Sequence, residues 1–365
     1  MTGCRACGDS DLRRVLDLGR MPAADDFPLA DAPVRPDEAA HPLAMDLCAT
    51  CGLAQLAEDD TRTAEPRGVE PRALRDQAAA AVARVRSDGW LRGATVREFG
   101  SPHGGSWLPH LAEHGYTALE QEADVVLDCF GIMHEPDQRG AFALRAKATA
   151  PDGVLLLQFH SLHAIVRQGQ WNALRHGHFA YYSLTTLVRL LHQAGMSAAT
   201  AWEFELYGGT VLIAAVHGAC EPDAAVRRIL ATEAGLTDPA VVGGLQSAAT
   251  AHATSLRRRL EAEIADGCSV YAYGAASRAV ALFELARIDR GLVHAVADAS
   301  PAKQGRRMPG TDVPIISPAQ LVRSAPDRVL LTLPDLLPEL ETRFPELSGH
   351  WMSAEYAPPN EGTDR

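Results

Sequence analysis

The chain is 365 residues long, 47% hydrophobic, and carries a formal charge of −12. That length exceeds a single core and points to two or three domains, while the acidic balance excludes nonspecific attraction to a nucleic-acid backbone or an anionic membrane. The opening MTGCRACGDSDL has no apolar signal core and no run of about 18 apolar residues follows it, so the expectation is a cytoplasmic protein without nucleic-acid or membrane partners.

Four of the seven cysteines form two CxxC pairs, Cys4 with Cys7 and Cys48 with Cys51, whereas Cys129, Cys220 and Cys268 stand alone. Paired thiols in a reducing compartment favour a metal over disulfides. Two such knuckles place four thiolates around one ion, and because four cysteines close a tetrahedral shell, the zinc is expected to be structural. The Pro- and Asp-rich stretch between the pairs reads as short strands and loops, so residues 1–57 are expected to form a zinc-binding module.

Residues 56–75 are charged and Pro-containing and read as a linker, and the Ala-rich stretch over 76–93 reads as a helix ended by glycine. An α/β pattern follows. TVREFG, YTALE, ADVVLDCFGI and VLLLQFHS read as strands, GSPHGGSWLPHLAEHG as a turn plus helix, and AFALRAKATAPDG as a helix with a stop. A helix around SLTTLVRLLHQAG and the strands AATAWEFELY and TVLIAAVHG complete a mostly parallel, doubly wound sheet over 76–220. Residues 221–266 read as a helical linker. A second α/β unit, 267–356, then runs through the strands SVYAYGAA, LVHAVADAS and RVLLTLPD, and the tail APPNEGTDR is expected to be disordered.

Two turns have the composition of ligand sites. EFGSPHGGSWL, Glu98 to Leu108, follows a strand and opens a helix, where the polar end of a nucleotide cofactor can approach backbone amides. YGAASRA, Tyr273 to Ala279, is a strand-to-helix turn of small residues in which Ser277 and Arg278 can donate to a phosphate; Asp298, Lys303 and Arg306 follow the next strand.

Cys4 to Cys7 with VLDLG, Cys48 to Cys51, RHGHFAYYSLTTL, and YGAASRAVAL followed by VADASPAKQGRRMPGTDVPIISP together resemble the sugar C-methyltransferases of deoxysugar biosynthesis, over nearly the whole chain. The resemblance implies an α/β chain in which the zinc-binding module precedes a Rossmann-like S-adenosylmethionine (SAM) methyltransferase domain and a second Rossmann-like, nucleotide-sugar-binding C-terminal domain. It also implies a reaction in which a histidine deprotonates the carbon beside the carbonyl of a nucleotide-linked keto sugar. The family's motif, similar to Tyr-His-Glu-His, reads here Arg175, His176, Gly177 and His178, which makes His178 the base, with His176 and Arg175 beside it. Tyr181, Tyr273, Ser277, Arg278 and Lys303 are the expected substrate contacts, and Gly100, Gly104 and Glu120 the expected cofactor contacts.

The chain departs from the family at the cofactor. Pro102 and His103 replace the Asn-Asp of the family's glycine motif, about thirty residues of helix, third strand and adenine wall are missing after Glu120, and the Tyr- and Ser-rich segment before the domain is TAEPRGVEPRALRDQ. The methyltransferase domain is therefore read as truncated and its SAM site as defective. The expected activity is a SAM-independent epimerisation, isomerisation or elimination, with a working C-methyltransferase as one alternative and a noncatalytic scaffold as the other.

Overall fold

The computed structural model describes residues 3–61, 70–101 and 105–356. At the N-terminal end β1 (Leu12–Met21), β2 (His41–Cys48) and β3 (Ala54–Leu56) form an antiparallel sheet, joined by a fourth strand from far along the chain, β8 (Ala180–Tyr181). Ala54 pairs with Tyr181 and Gln55 with Ala180, so the segment just after His178 is stitched to the zinc module.

The central sheet has the order β5-β4-β6-β7-β10-β9, from β4 (Thr95–Phe99), β5 (Thr117–Ala118), β6 (Ala123–Cys129), β7 (Thr149–His160), β9 (Met196–Phe204) and β10 (Thr210–His217). The first four strands are parallel, and β10 runs antiparallel to both neighbours. Only residues 119–122 separate β5 from β6, and among the described residues nothing pairs with the outer edge of β5. The stretch APDG, read as a helix stop, lies inside β7. Thr149 already pairs with Ala123, a register shift follows, and Gly153 permits the close approach: a Cβ there would meet the Asp124 carbonyl oxygen at 2.8 Å.

Helices cover both faces of this sheet. On one side α1 (Arg72–Ser87), beginning earlier and ending sooner than the sequence suggests, buries Ala78, Ala81, Val82 and Val85 against Val96 and Leu127, and α2 (Leu108–Ala112) buries Leu111. The other side holds α3 (Gln138–Ala148), capped by the Asp137 side chain on Gly140 N–H, and α5 (Leu184–Gln193), capped by a serine; the serine-capped α4 (Leu162–Arg167) instead buries Leu162 and Ile165 in the core shared by the N-terminal and C-terminal sheets. Leu184, Leu187, Leu190 and Leu191 give α5 its apolar stripe.

The helical stretch divides into α6 (Ala224–Thr232) and the 27-residue α7 (Pro239–Ala265), started by an Asp238 cap with proline at the first position. It leads into an all-parallel sheet, β13-β12-β11-β14-β15, built from β11 (Val270–Tyr273), β12 (Val296–Ala297), β13 (Ile315–Ile316), β14 (Arg328–Leu331) and β15 (Trp351–Ser353), with α8 (Ser277–Leu285), α9 (Pro318–Arg323) and α10 (Leu337–Arg343) around it. The fold is mixed α/β with two Rossmann-like sheets. No described helix is long and apolar enough to cross a membrane.

The zinc module is a wedge between these two sheets. One core joins Leu16, Met45 and Leu47 of the module to Val242 and Leu245 of α7 and to Val270 and Phe283, while another joins Cys4, Cys48, Cys51 and Leu53 to Phe142, Leu155 and Leu187 of the central domain. Its excursion between β1 and β2 reaches the C-terminal domain, where Leu29 bridges to Arg306 and the Arg307 guanidinium closes on Glu38.

Candidate functional site

The thiols of Cys4, Cys7, Cys48 and Cys51 lie within 4.8 Å of one another, with Sγ separations of 3.5 Å for Cys4 to Cys51 and 3.6 Å for Cys7 to Cys48. Four sulfurs about 2.3 Å from one tetrahedral ion need nearly this spacing. Each knuckle turns at the glycine after its second cysteine: Gly8 and Gly52 both have φ +79° and donate their N–H to Cys4 and Cys48 carbonyls at 2.9 Å. The residues fit zinc, and their closed shell leaves no position for a substrate.

A cavity of about 290 Å³ lies between the central and the C-terminal domains. One wall is the 174–181 loop. Arg175 Nε donates to His178 Nε2 at 2.8 Å, which assigns a lone pair to that nitrogen, and Arg175 N–H donates to the Tyr181 hydroxyl at 3.1 Å. The His134 ring stands edge-on to that of His178 at 4.4 Å, and His134 Nδ1 bonds the Gly177 carbonyl at 2.9 Å. Behind the loop, Arg5 of the first knuckle places its guanidinium 4.6 Å over the Phe179 ring and donates to the Leu56 and Pro136 carbonyls. Gly177, at φ +78°, donates to Asp59 Oδ2 at 2.7 Å.

The histidines of the motif separate across this turn. His178 lines the cavity; His176 does not, for its Nε2 faces the Pro42 carbonyl at 3.2 Å and its ring stands 5.9 Å from His41. Burial pushes the His176 pKa down, with Asp59 opposing. Its position is against the zinc module.

The opposite end of β7 supplies a residue not singled out in the sequence. His160, the last residue of β7, lines the cavity with Tyr207 at 6.2 Å between rings, and Tyr207 stands edge-on to Phe130 at 5.9 Å. Phe130 and Tyr207 have φ of 64° and 57°, left-handed conformations that bulky side chains rarely adopt. Burial, then the charge of Arg278, push His160 down to about 3, against the milder opposing effects of Gln170 and the Tyr207 carbonyl. The available signal was a histidine at the carboxyl end of a buried parallel strand, where α/β sheets bind ligands.

At the glycine turn Gly100, Ser101, Gly105 and Ser106 line the cavity. The Glu98 carboxylate is engaged by Ser106 Oγ at 2.5 Å and Trp107 N–H at 2.7 Å, and Glu70 lies so close over Gly105 that a Cβ there would meet its Oε1 at 2.8 Å. Gly104, with Pro102 and His103, falls outside the described residues. Glu120 is exposed and does not line the cavity.

The C-terminal domain brings Tyr273, Ser277, Arg278 and Lys303 to the same cavity. Burial pushes Tyr273 up to about 12. Ser277 Oγ donates to Asp25 at 2.6 Å, and Lys303 Nζ donates to the Ala275 carbonyl at 2.8 Å, 4.9 Å above the Phe27 ring, so both help dock the module's excursion. Asp298 fixes the strand-to-helix turn by accepting from Ala275 N–H, and Arg306 donates to the Phe27 carbonyl. Arg278 differs. Among the described residues its guanidinium has no hydrogen-bond or ion-pair partner and lies 5.7 Å over the Tyr207 ring; burial and then the like charge of Arg175 lower its pKa.

Residues 205–347 match the family profile of the C-methyltransferase C-terminal domain, and residues 4–63 that of a zinc binding domain. The chain is 26% identical over 399 aligned residues to the C-methyltransferase NovU of Streptomyces niveus, covering 96% of this chain and 94% of that protein. Among solved structures, magnesium protoporphyrin IX methyltransferase from Synechocystis PCC 6803 is 14% identical, with a TM-score of 0.30 over 40% of this chain and 84% of that one. The N-methyltransferase NodS from Bradyrhizobium japonicum is 13% identical, with a TM-score of 0.29 over 40% of this chain and 97% of that one. Likenesses at that level transfer no chemistry.

Proposed function

We propose that this chain, which carries the zinc-binding and C-terminal domains of the C-methyltransferases, is an enzyme that removes a proton from the carbon beside a substrate carbonyl, with His178 as the base. The observation that carries this reading is the His178 imidazole in a cavity lined from both the central and the C-terminal domains, its Nε2 lone pair held by Arg175. An anionic substrate group that draws Arg175 away frees that lone pair beside the reacting carbon. Arg175 and Arg278 both face the cavity, which supports a phosphate-bearing keto compound, a nucleotide-linked keto sugar, as the substrate class.

Three features support a reaction without SAM. Among the described residues nothing pairs with the outer edge of β5 where the adenine wall is expected, Glu120 lies outside the cavity, and Glu70 covers Gly105 at the glycine turn. A base without a methyl donor returns its proton, giving epimerisation or isomerisation. The test is deuterium incorporation from heavy water into a panel of nucleoside-diphosphate-linked keto sugars, followed by mass spectrometry. Incorporation lost in His178→Gln is the expected result; none in the wild-type protein across the panel would refute the reading.

A second reading, SAM-dependent C-methylation, is favoured by Gly100, Ser101 and Gly105 lining the cavity. Methyl-labelled SAM offered with the same panel separates the two, since label in the product establishes methylation.

A further inference from the structure

Among the described residues two imidazoles line the cavity, and they differ in what surrounds them. His178 is engaged by Arg175, next to His134 and Tyr181. His160 sits at the end of β7 against Tyr207, Gln170 and Arg278, and its Nε2 is buried without a hydrogen bond. Gln170 Oε1 is likewise buried and unpaired, while the Gln170 amide nitrogen is already committed to Gln168 Oε1 at 2.8 Å and the Tyr207 carbonyl at 3.1 Å. With Nε2 enclosed, Nδ1 is the ring nitrogen left to exchange a proton with the cavity.

We propose that His160 is the acid partner of His178, a second proton-transfer group that is charged only when an anionic group of the substrate seats against Arg278. The inference rests on the proton-removal reading above. The charged and titratable groups around His160 are Arg278 and Arg175, which oppose its protonation, and Tyr207; Asp335 and Glu355 act on Arg278, and Asp335 also meets the backbone of Tyr207. A phosphate beside Arg278 cancels the charge repulsion that adds to burial in holding the imidazole neutral and brings a negative charge of its own, so that Nδ1 takes a proton from solvent. His178 then takes the proton from the carbon beside the carbonyl, the C–H pair becomes the enolate, and His160 returns its Nδ1 proton to that carbon. One C–H bond breaks and one forms, no electrons change hands, and solvent resets both imidazoles. Binding and acid activation are thereby coupled through one arginine.

The first test needs no turnover. The carbon-bound ring protons of His160 are followed by NMR against pH, with and without inorganic pyrophosphate, in the wild-type protein and in Arg278→Met. The expected result is a midpoint near 3 that pyrophosphate raises in the wild type, and a higher midpoint insensitive to pyrophosphate in Arg278→Met. A midpoint that pyrophosphate leaves in place overturns the coupling. The second test compares His160→Gln with His178→Gln in the heavy-water assay. His160→Gln should still wash deuterium into substrate but form isomerised product at least about 100-fold more slowly, whereas His178→Gln loses both. Isomerised product within about 2-fold of wild type in His160→Gln overturns the acid role, and a wild-type chain inert toward every keto sugar sinks the proton-removal reading while the pyrophosphate titration still decides the Arg278 coupling.

Discussion

Arg5, between two of the clustered cysteines, stacks its guanidinium 4.6 Å above the ring of Phe179, the residue next to His178. The same side chain donates to the carbonyls of Leu56 in the module and Pro136 in the central domain. The zinc knuckle is thus part of the support of the cavity wall, although its ion has no open position for substrate.

Removing the metal should loosen that wall. Elemental analysis is expected to find one zinc per chain, lost on chelation or in Cys51→Ser. Hydrogen exchange should then rise over residues 174–182 as well as in the knuckles, because Tyr181 pairs with Ala54 and the second core contains three of the cysteines. Exchange confined to residues 3–10 and 46–53 would contradict this.

Arg5→Ala should separate support from metal binding. The substitution leaves the buried Leu56 carbonyl unpaired, at a cost of about 1–3 kcal/mol in urea denaturation, with zinc content unchanged.

The excursion is held by a buried ion pair, Arg307 with Glu38, at 2.5 Å and with side chains 2% and 9% exposed. Burial opposes the charged carboxylate, but the Arg307 fork and the N–H groups of Arg35 and Gly310 outweigh it and bring Glu38 from 4.5 to about 2. The unfolded chain therefore takes up this proton first as pH falls. A contribution on the order of 3 kcal/mol is complete above pH 4.5 and is lost between 4.5 and about 2. Glu38→Ala, which strands a buried guanidinium, should cost about 3–5 kcal/mol at pH 7 and remove that acid dependence.

His160 gives a dependence in a higher window. Its folded value of about 3 lies below the usual 6.5, so the unfolded state binds the proton first, and stability is full above 6.5 and falls as pH drops toward 3. Between pH 7 and 5 the wild-type protein should lose about 2 kcal/mol through this residue, and His160→Gln should show a correspondingly shallower slope. His176 and His252, both lowered chiefly by burial, act in the same direction and remain in the variant.

Glu120→Ala should leave stability within about 0.5 kcal/mol of wild type, and product formation unchanged, because the side chain is exposed and outside the cavity. A marked loss would restore Glu120 as a cofactor contact.

Much of the architecture is legible locally. The C-x-x-C-G pattern contains both the ligands and the glycines that turn the knuckles, Asp137, Ser183 and Asp238 announce their helices, and the short interval between Glu120 and Ala123 already excludes a third strand. The APDG stretch misleads because its turn composition is overruled by pairing of Thr149 with Ala123. Ser277, Lys303 and Arg306 look like free donors in sequence. Two of their partners, Asp25 and Phe27, are visible only once the module's excursion is folded back onto the C-terminal domain, and the third, the Ala275 carbonyl, only once the turn after β11 meets the loop of Lys303.

The sequence by itself determined the zinc ligands, the two α/β units and the histidine pair, because each depends on spacing within a few residues or on short-period hydrophobic patterning. Tertiary structure decided which histidine faces the cavity. Gly177 in its left-handed conformation sends His176 toward Pro42 and His178 toward Arg175, and the fold brings His160 to the same cavity beside Arg278, 118 residues further along the chain. Burial and the field of distant charges set what an imidazole can do, and neither is encoded in its sequence neighbours.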